Sequence, residues 1–246
     1  MSRPQGALLS GAMAALLLLG AGSVITMRSS EVSAAPAVAP GPAVTIPAPA
    51  FDEKPRPGSA TAVFAGGCFW GVQGVYEHVN GVTRAVAGYA GGSRKDASYE
   101  TVGSGRTGHA ESVRITYDPA QISYGALLQI FFAVVADPTT LNAQGPDRGT
   151  QYRSAIFPVT PDQKLIAERY IAQLNTNGAW KRPIVTSVEP MRGFYPAEAY
   201  HQDYLVRKPD YPYIRFNDLP KVAALRKMFP TRYRAQPVLT TGAKQS

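Results

Sequence analysis

One cysteine, Cys68, stands in a chain of 246 residues. No internal disulfide can close, so the fold must be held by an apolar core and backbone hydrogen bonds. The residues around Cys68 show how that core begins. Thr61-Ala62-Val63-Phe64-Ala65 has the pattern of a short apolar strand, and Gly66-Gly67 permits a tight turn. Phe69, Val72, Tyr76 and Val79 then recur at helical spacing. Cys68 is thereby expected at a helix N-terminus, where unpaired N–H groups and the helix dipole favour a thiolate and lower its pKa. Two readings stay open, a reactive thiol and a small inert core side chain.

At 45% hydrophobic content the chain can bury one substantial core. Arg3 is followed by an uncharged stretch from Pro4 to Met27 with Leu16–Leu19 at its centre. That grammar predicts an export signal or membrane anchor over 1–34, with small residues suited to cleavage at Val32-Ser33-Ala34 and Ser33-Ala34-Ala35. The expected location is the periplasm or cell envelope. Ala and Pro dominate the next segment, so 35–58 is expected to be an extended linker. A single domain over 59–234 and a loose tail over 235–246 complete the reading. The net charge of +8 comes from Lys and Arg spread singly or in pairs, without a basic run, which argues against a nucleic-acid partner.

Within the domain, strands and helices alternate. Val82–Ala90 is a predicted strand, followed by a Gly- and Ser-rich loop over 93–108. From His109 to Tyr117 the residues alternate: His109, Glu111, Val113, Ile115 and Tyr117 share one face, and the apolar members mark it as buried. Glu111 is therefore expected to point inward. A carboxyl without a cation partner there holds its proton near neutral pH and suits a general acid. The alternative is an ion pair with Arg106, Arg114 or a lysine elsewhere in the chain, which would only stabilise the fold. Tyr124, Leu127, Leu128, Phe131, Phe132 and Val135 form a core helix stripe, closed by Asp137-Pro138. A strand is expected over 151–157. Thr160-Pro161-Asp162-Gln163 opens a helix to about Thr176, with Gln163 closing a capping box. A strand over 184–189 and short helices near 197–206 and 218–228 follow. The order implies helices packed on one mixed sheet.

Six segments in order give the chain a close resemblance to the A-type peptide methionine sulfoxide reductases. They are Gly67-Cys68-Phe69-Trp70-Gly71, Gly88-Tyr89-Ala90-Gly91-Gly92, Ser98-Tyr99-Glu100-Thr101-Val102, Thr107-Gly108-His109-Ala110-Glu111, Asp147-Arg148-Gly149-Thr150-Gln151-Tyr152-Arg153-Ser154 and Tyr200-His201-Gln202. The resemblance implies an α+β fold, a ferredoxin-like α/β sandwich, acting as a monomer. It also implies reduction of methionine S-sulfoxide, free or in proteins, with no cofactor and no metal. Cys68 matches the nucleophile and Glu111 the acid that protonates the departing oxygen. Tyr99 and Tyr152 match phenols that hold that oxygen, and Asp147 an aspartate that positions water and substrate. Phe69 and Trp70 match the aromatic walls around the methyl group. The chain departs from commoner members in lacking a second cysteine, and in Pro146 and Ala136 where many have Asn and His. With one thiol, the Cys68 sulfenic acid must be resolved by an external thiol, a thioredoxin-like protein or a small molecule. Two other functions are weighed against this one: a Cys/His acyl-transfer enzyme using His109 or His201, and a redox sensor or binding module without turnover.

Overall fold

The computed structural model describes residues 43–240. The expected signal or anchor over 1–34, most of the linker's first half and residues 241–246 lie outside the described residues. Among the described residues no helix is long and apolar enough to cross a membrane.

The chain runs β1 (Ala60–Gly66), α1 (Phe69–Glu77), β2 (Val82–Ala90), the short α2 (Tyr99–Gly103), β3 (Ala110–Tyr117) and α3 (Tyr124–Ile130). Two two-residue strands, β4 (Ala143–Gln144) and β5 (Asp147–Arg148), form a small ribbon before β6 (Ser154–Ile156). Then come α4 (Pro161–Asn177), β7 (Ser187–Val188), β8 (Phe194–Pro196), α5 (Tyr204–Arg207) and α6 (Leu219–Met228). The main sheet has the order β7-β6-β1-β3-β2-β8. Its four central strands, β6-β1-β3-β2, pair antiparallel, and β7 joins β6 in parallel. With α1 and α3 as the crossovers, this is the expected ferredoxin-like sandwich.

Alternation along β3 puts Val113, Ile115 and Tyr117 in the main core beneath the helices. Ala110 joins a smaller apolar cluster with Val63, Ala65 and Phe157. The stripe of α3 is buried as expected, but it does not stay α-helical to its end. Residues 131–135 form a π turn, in which Ala136 N–H bonds Phe131 O, five residues back. Phe131 and Val135 press on Gly66 there: a Cβ on that glycine would lie 3.0 Å from each side chain. At the start of α4, Thr160 accepts from Gln163 N–H, as the sequence implies. Gln163 reaches back to Val159 N–H rather than to Thr160 N–H, so the capping box closes one residue early.

The linker expectation needs correction over 43–58. Ile46 is buried in the core, and Val44 N–H donates to Ala133 O at 3.1 Å. Tyr170 and Gln173 of α4 donate to the carbonyls of Pro47 and Ala48. Asp52 Oδ1 accepts from Gly125 N–H at 2.8 Å, and Glu53 Oε1 accepts from Tyr124 N–H at 2.7 Å. An Ala/Pro segment forms no core of its own, but here it straps two helices, and its two carboxylates satisfy donors left free at the N-terminus of α3. The tail is likewise not loose over 235–240, where Val238 N–H bonds Glu77 O and Thr240 N–H bonds Asp203 Oδ1. The double variant Asp52→Ala/Glu53→Ala should lose about 1–3 kcal/mol of stability, the range for lost capping hydrogen bonds. Urea unfolding checks this, and an unchanged midpoint would show the strap to be ornamental.

Candidate active site

The turn after β1 sets Cys68 in place. Gly67 takes φ +91°, and a Cβ there would meet Gln144 Cβ at 2.5 Å. The glycine thus gives both the turn and the close approach of the β4 segment. Cys68 follows as the N-cap of α1, with only 9% of its surface exposed. Beneath it, Phe69 N–H donates to Glu111 Oε2 at 3.0 Å, from the first turn of α1 to the start of β3. Glu111 is 4% exposed. It makes no ion pair with Arg106 or Arg114; its only partner among the described residues is that backbone donor.

One cavity of about 230 Å³ is lined by Cys68, Phe69, Trp70, Tyr99, Glu111, Asp147, Tyr152, Tyr211 and Tyr213. All seven residues singled out from the sequence therefore meet at one place, although they come from α1, α2, β3, β5 and the turn before β6. Two links position the phenols. Glu198 accepts from Tyr99 N–H at 3.0 Å and from Tyr89 Oη at 2.8 Å, which fixes the start of α2. Arg153, next to Tyr152, makes a bidentate pair with Glu189 at 2.8 Å for each bond. Asp147 accepts a short hydrogen bond from Tyr213 Oη. Trp70 stacks on Tyr204 with ring centroids 4.0 Å apart. Its edge-on neighbours are Tyr211 and Tyr213.

Burial governs the charges. It pushes the Glu111 carboxyl up to about 8, with Asp147 and Asp218 adding to the effect and the Phe69 N–H opposing it. Glu111 is thus a proton donor at neutral pH. Burial also raises the Cys68 thiol well above its ordinary value, and Glu111 and Asp218 reinforce the shift. This corrects the expectation of a lowered cysteine pKa. A backbone N–H at the start of α1, that of Trp70, does favour the thiolate, but desolvation beside acidic groups outweighs it. Burial raises Asp147 too, while the Tyr213 hydroxyl and Lys221 hold it down. Tyr99 and Tyr152 are raised by burial and by Glu111, so both remain phenols.

Neither histidine lines this cavity. His201 Nδ1 accepts from Trp70 Nε1–H at 3.1 Å, and burial lowers its pKa. His109 accepts Gly92 N–H at Nδ1, and its Nε2 lies 2.9 Å from Ser93 O. Both rings pack among aromatic side chains outside the cavity, so neither is placed there as the base of a Cys/His acyl-transfer centre. Among the described residues no group of three or more His, Cys, Asp or Glu side chains is arranged to hold a metal.

The family model for peptide methionine sulfoxide reductase matches residues 60–233. The chain belongs to that family. It is an A-type member, a peptide-methionine (S)-S-oxide reductase. Peptide methionine sulfoxide reductase MsrA 2 of Mesorhizobium japonicum is 61% identical over 193 residues, covering 78% of this chain and 99% of that one. The MsrA 2 of Synechocystis is 49% identical over 195 residues, covering 78% and 91%. Among solved structures, reduced Mxr1 of Saccharomyces cerevisiae superposes with a TM-score of 0.55 at 34% identity, over 64% of this chain and 91% of that one. Methionine sulfoxide reductase A of Corynebacterium diphtheriae gives 0.53 at 33% identity, over 70% and 87%.

Reading the sequence alone missed four parts of this reductase site. Tyr211 and Tyr213 line the cavity from the segment before the second π turn, Ile214–Asp218. Asp218 is fully buried and paired with Lys221 at 3.4 Å. Its carboxylate sits so close to Gly71 of α1 that no Cβ fits there. Tyr211 and Tyr213 fall between the two helices expected near 197–206 and 218–228, and the pattern of the second helix does not show that Asp218 turns inward.

The raised Glu111 pKa carries a stability consequence. The folded chain keeps a proton at Glu111 up to about 8, whereas an ordinary carboxyl releases it at 4.5. Stability from this group is whole below the lower value and is lost as pH rises through the upper one. Glu111→Gln should therefore flatten the decline in urea midpoint between pH 4.5 and about 8. Parallel pH profiles for the two proteins would contradict this assignment.

Proposed function

We propose that this cavity reduces methionine S-sulfoxide, free or within proteins, through a sulfenic acid on Cys68. The observation that carries the reading is the pairing of a buried thiol with a protonated carboxyl in one cavity that also has phenols and an aromatic wall. A sulfoxide needs donors for its polar S–O bond and an apolar surface for its methyl group. Glu111, Tyr99 and Tyr152 supply the donors, and Trp70 with Phe69 supplies the surface. Asp147, held by Tyr213, orients water and substrate.

Glu111 gives its proton to the sulfoxide oxygen, Cys68 sulfur bonds to the sulfoxide sulfur, and Glu111 recovers a proton from the Cys68 thiol. The hydroxyl then passes to Cys68 sulfur as the bond between the two sulfurs and the bond from methionine sulfur to oxygen both break. Cys68 is oxidised to the sulfenic acid and the sulfoxide is reduced to methionine. The neutral thiol of the empty cavity fits this order, because the proton departs only once a sulfoxide is in place to receive one. An external thiol then attacks the sulfenic acid, water leaves, and a second thiol frees Cys68. The export grammar of the first 34 residues supports action in the cell envelope, with a thioredoxin-like protein or a small thiol of that compartment as reductant.

Turnover on separated sulfoxide epimers tests the reaction class: the S epimer should be consumed and the R epimer left. Cys68→Ser should abolish turnover. Glu111→Ala should lose about 10²–10³ in kcat, and Glu111→Gln less, since an amide still donates a hydrogen bond. Small and equal losses in both would leave Glu111 structural. Without added thiol, one equivalent of sulfoxide should add one oxygen to the protein mass and then stop. Repeated turnover without thiol would refute the external step, as would full activity in Cys68→Ser. A Cys68 that is oxidised while no sulfoxide is consumed would favour the sensor reading instead.

A further inference from the structure

Cys68 also borders a second, larger cavity, of about 360 Å³. The two cavities share only Cys68, Asp147 and Tyr213, which form the partition between them. The second has an apolar side, with Val44, Phe132 and Trp180, and a basic side, with Arg148, Lys181, Arg182 and Lys221. Its only carboxylates are Asp137 and Asp147. Three of the cations are committed. Arg182 donates to Thr139 Oγ1 at 2.8 Å and lies 4.0 Å from Asp137, Lys221 pairs with Asp218, and Arg148 bonds the carbonyls of Gly145 and Asp147. Lys181 has no ion pair among the described residues.

We propose that this cavity is the entry site of the reductant, a small thiol bearing at least one carboxylate. The proposal rests on the sulfenic acid chemistry above and names the thiol class that resolves it. Substitution at sulfur runs in line, with the attacking thiolate opposite the departing oxygen. The oxygen leaves among Glu111, Tyr99 and Tyr152, so the thiol arrives from the other side of the partition. The carboxylate meets Lys181, and the methylenes meet Trp180 and Phe132. The first thiol forms a disulfide with Cys68 and releases water; the second attacks that disulfide, giving the free thiol of Cys68 and an oxidised thiol dimer. Oxidised substrate and reductant thereby reach one sulfur by separate doors, and methionine need not clear the first cavity before the thiol binds.

Steady-state kinetics on the full chain, with saturating methionine S-sulfoxide, compares 3-mercaptopropionate with neutral 2-mercaptoethanol, each rate expressed per thiolate. The carboxylate thiol should be favoured by roughly two- to fivefold in kcat/KM, the size of one exposed ion pair, and the preference should shrink with salt. Lys181→Glu should erase it while leaving the 2-mercaptoethanol rate and the thiol-free release of one methionine per chain unchanged. Equal rates for the two thiols, or a preference that survives Lys181→Glu, would overturn the assignment. If the wild-type chain releases no methionine in the thiol-free reaction, the reductase reading falls and this inference with it.

Discussion

The hydrogen bond from Phe69 N–H to Glu111 Oε2 ties the first turn of α1 to β3, and the site is arranged around it. It joins the residue after Cys68 to Glu111, across a helix and a strand that the fold must stack for other reasons. The ferredoxin-like topology places β3 between β1 and β2, directly beneath the helix that β1 feeds. Cys68 and Glu111 therefore meet by the shortest connection the fold offers. One backbone donor satisfies one carboxyl oxygen and opposes ionisation too weakly to overcome burial. The carboxyl stays protonated, with its capacity to donate directed at whatever enters the cavity.

Around that pair the protein has concentrated acidic groups, with Lys221 as the cation that tempers them. Glu111, Asp147 and Asp218 each raise the thiol of Cys68, and Lys221 acts on both aspartates. The arrangement suppresses a free thiolate in the resting site. A buried neutral thiol is a poor target for casual oxidants, since the thiolate is the reactive form. The thiol is thus not a permanently activated one, and the carboxyl beside it keeps its proton. The strap over 43–58 and the tail over 235–240 anchor α3, α4 and the end of α1, on which the sheet's helical layer rests.

Much of this was legible in the sequence because it is periodic and local. The alternation in β3 identified Glu111 as inward-facing, since a half-buried strand has only one way to bury Val113, Ile115 and Tyr117. The Gly66-Gly67 turn and the spacing from Phe69 marked the start of α1 to within a residue. The motif segments brought Tyr99, Asp147 and Tyr152 to the site, though composition alone explains none of them. Nonlocal features were not legible. The strap reads as a linker because its partners, Gln129, Tyr170 and Gln173, lie far along the chain and its Ala and Pro content suggests no structure of its own. Tyr213 turns inward from a stretch that shows no periodicity, and Asp218 from the first position of an expected helix. The cysteine pKa was misjudged because a helix N-terminus is visible in sequence, whereas the depth of burial and the neighbouring acids are not.

The coupling between a neutral thiol and a protonated acid is tested most directly by titrating Cys68 in the substrate-free protein. Thiolate absorbance is followed against pH, with Cys68→Ser as the blank. The account predicts no thiolate up to the ordinary cysteine value of 9.0 and ionisation only above it. A thiolate already present at neutral pH would contradict it, and would return the nucleophile to activation by the helix terminus alone.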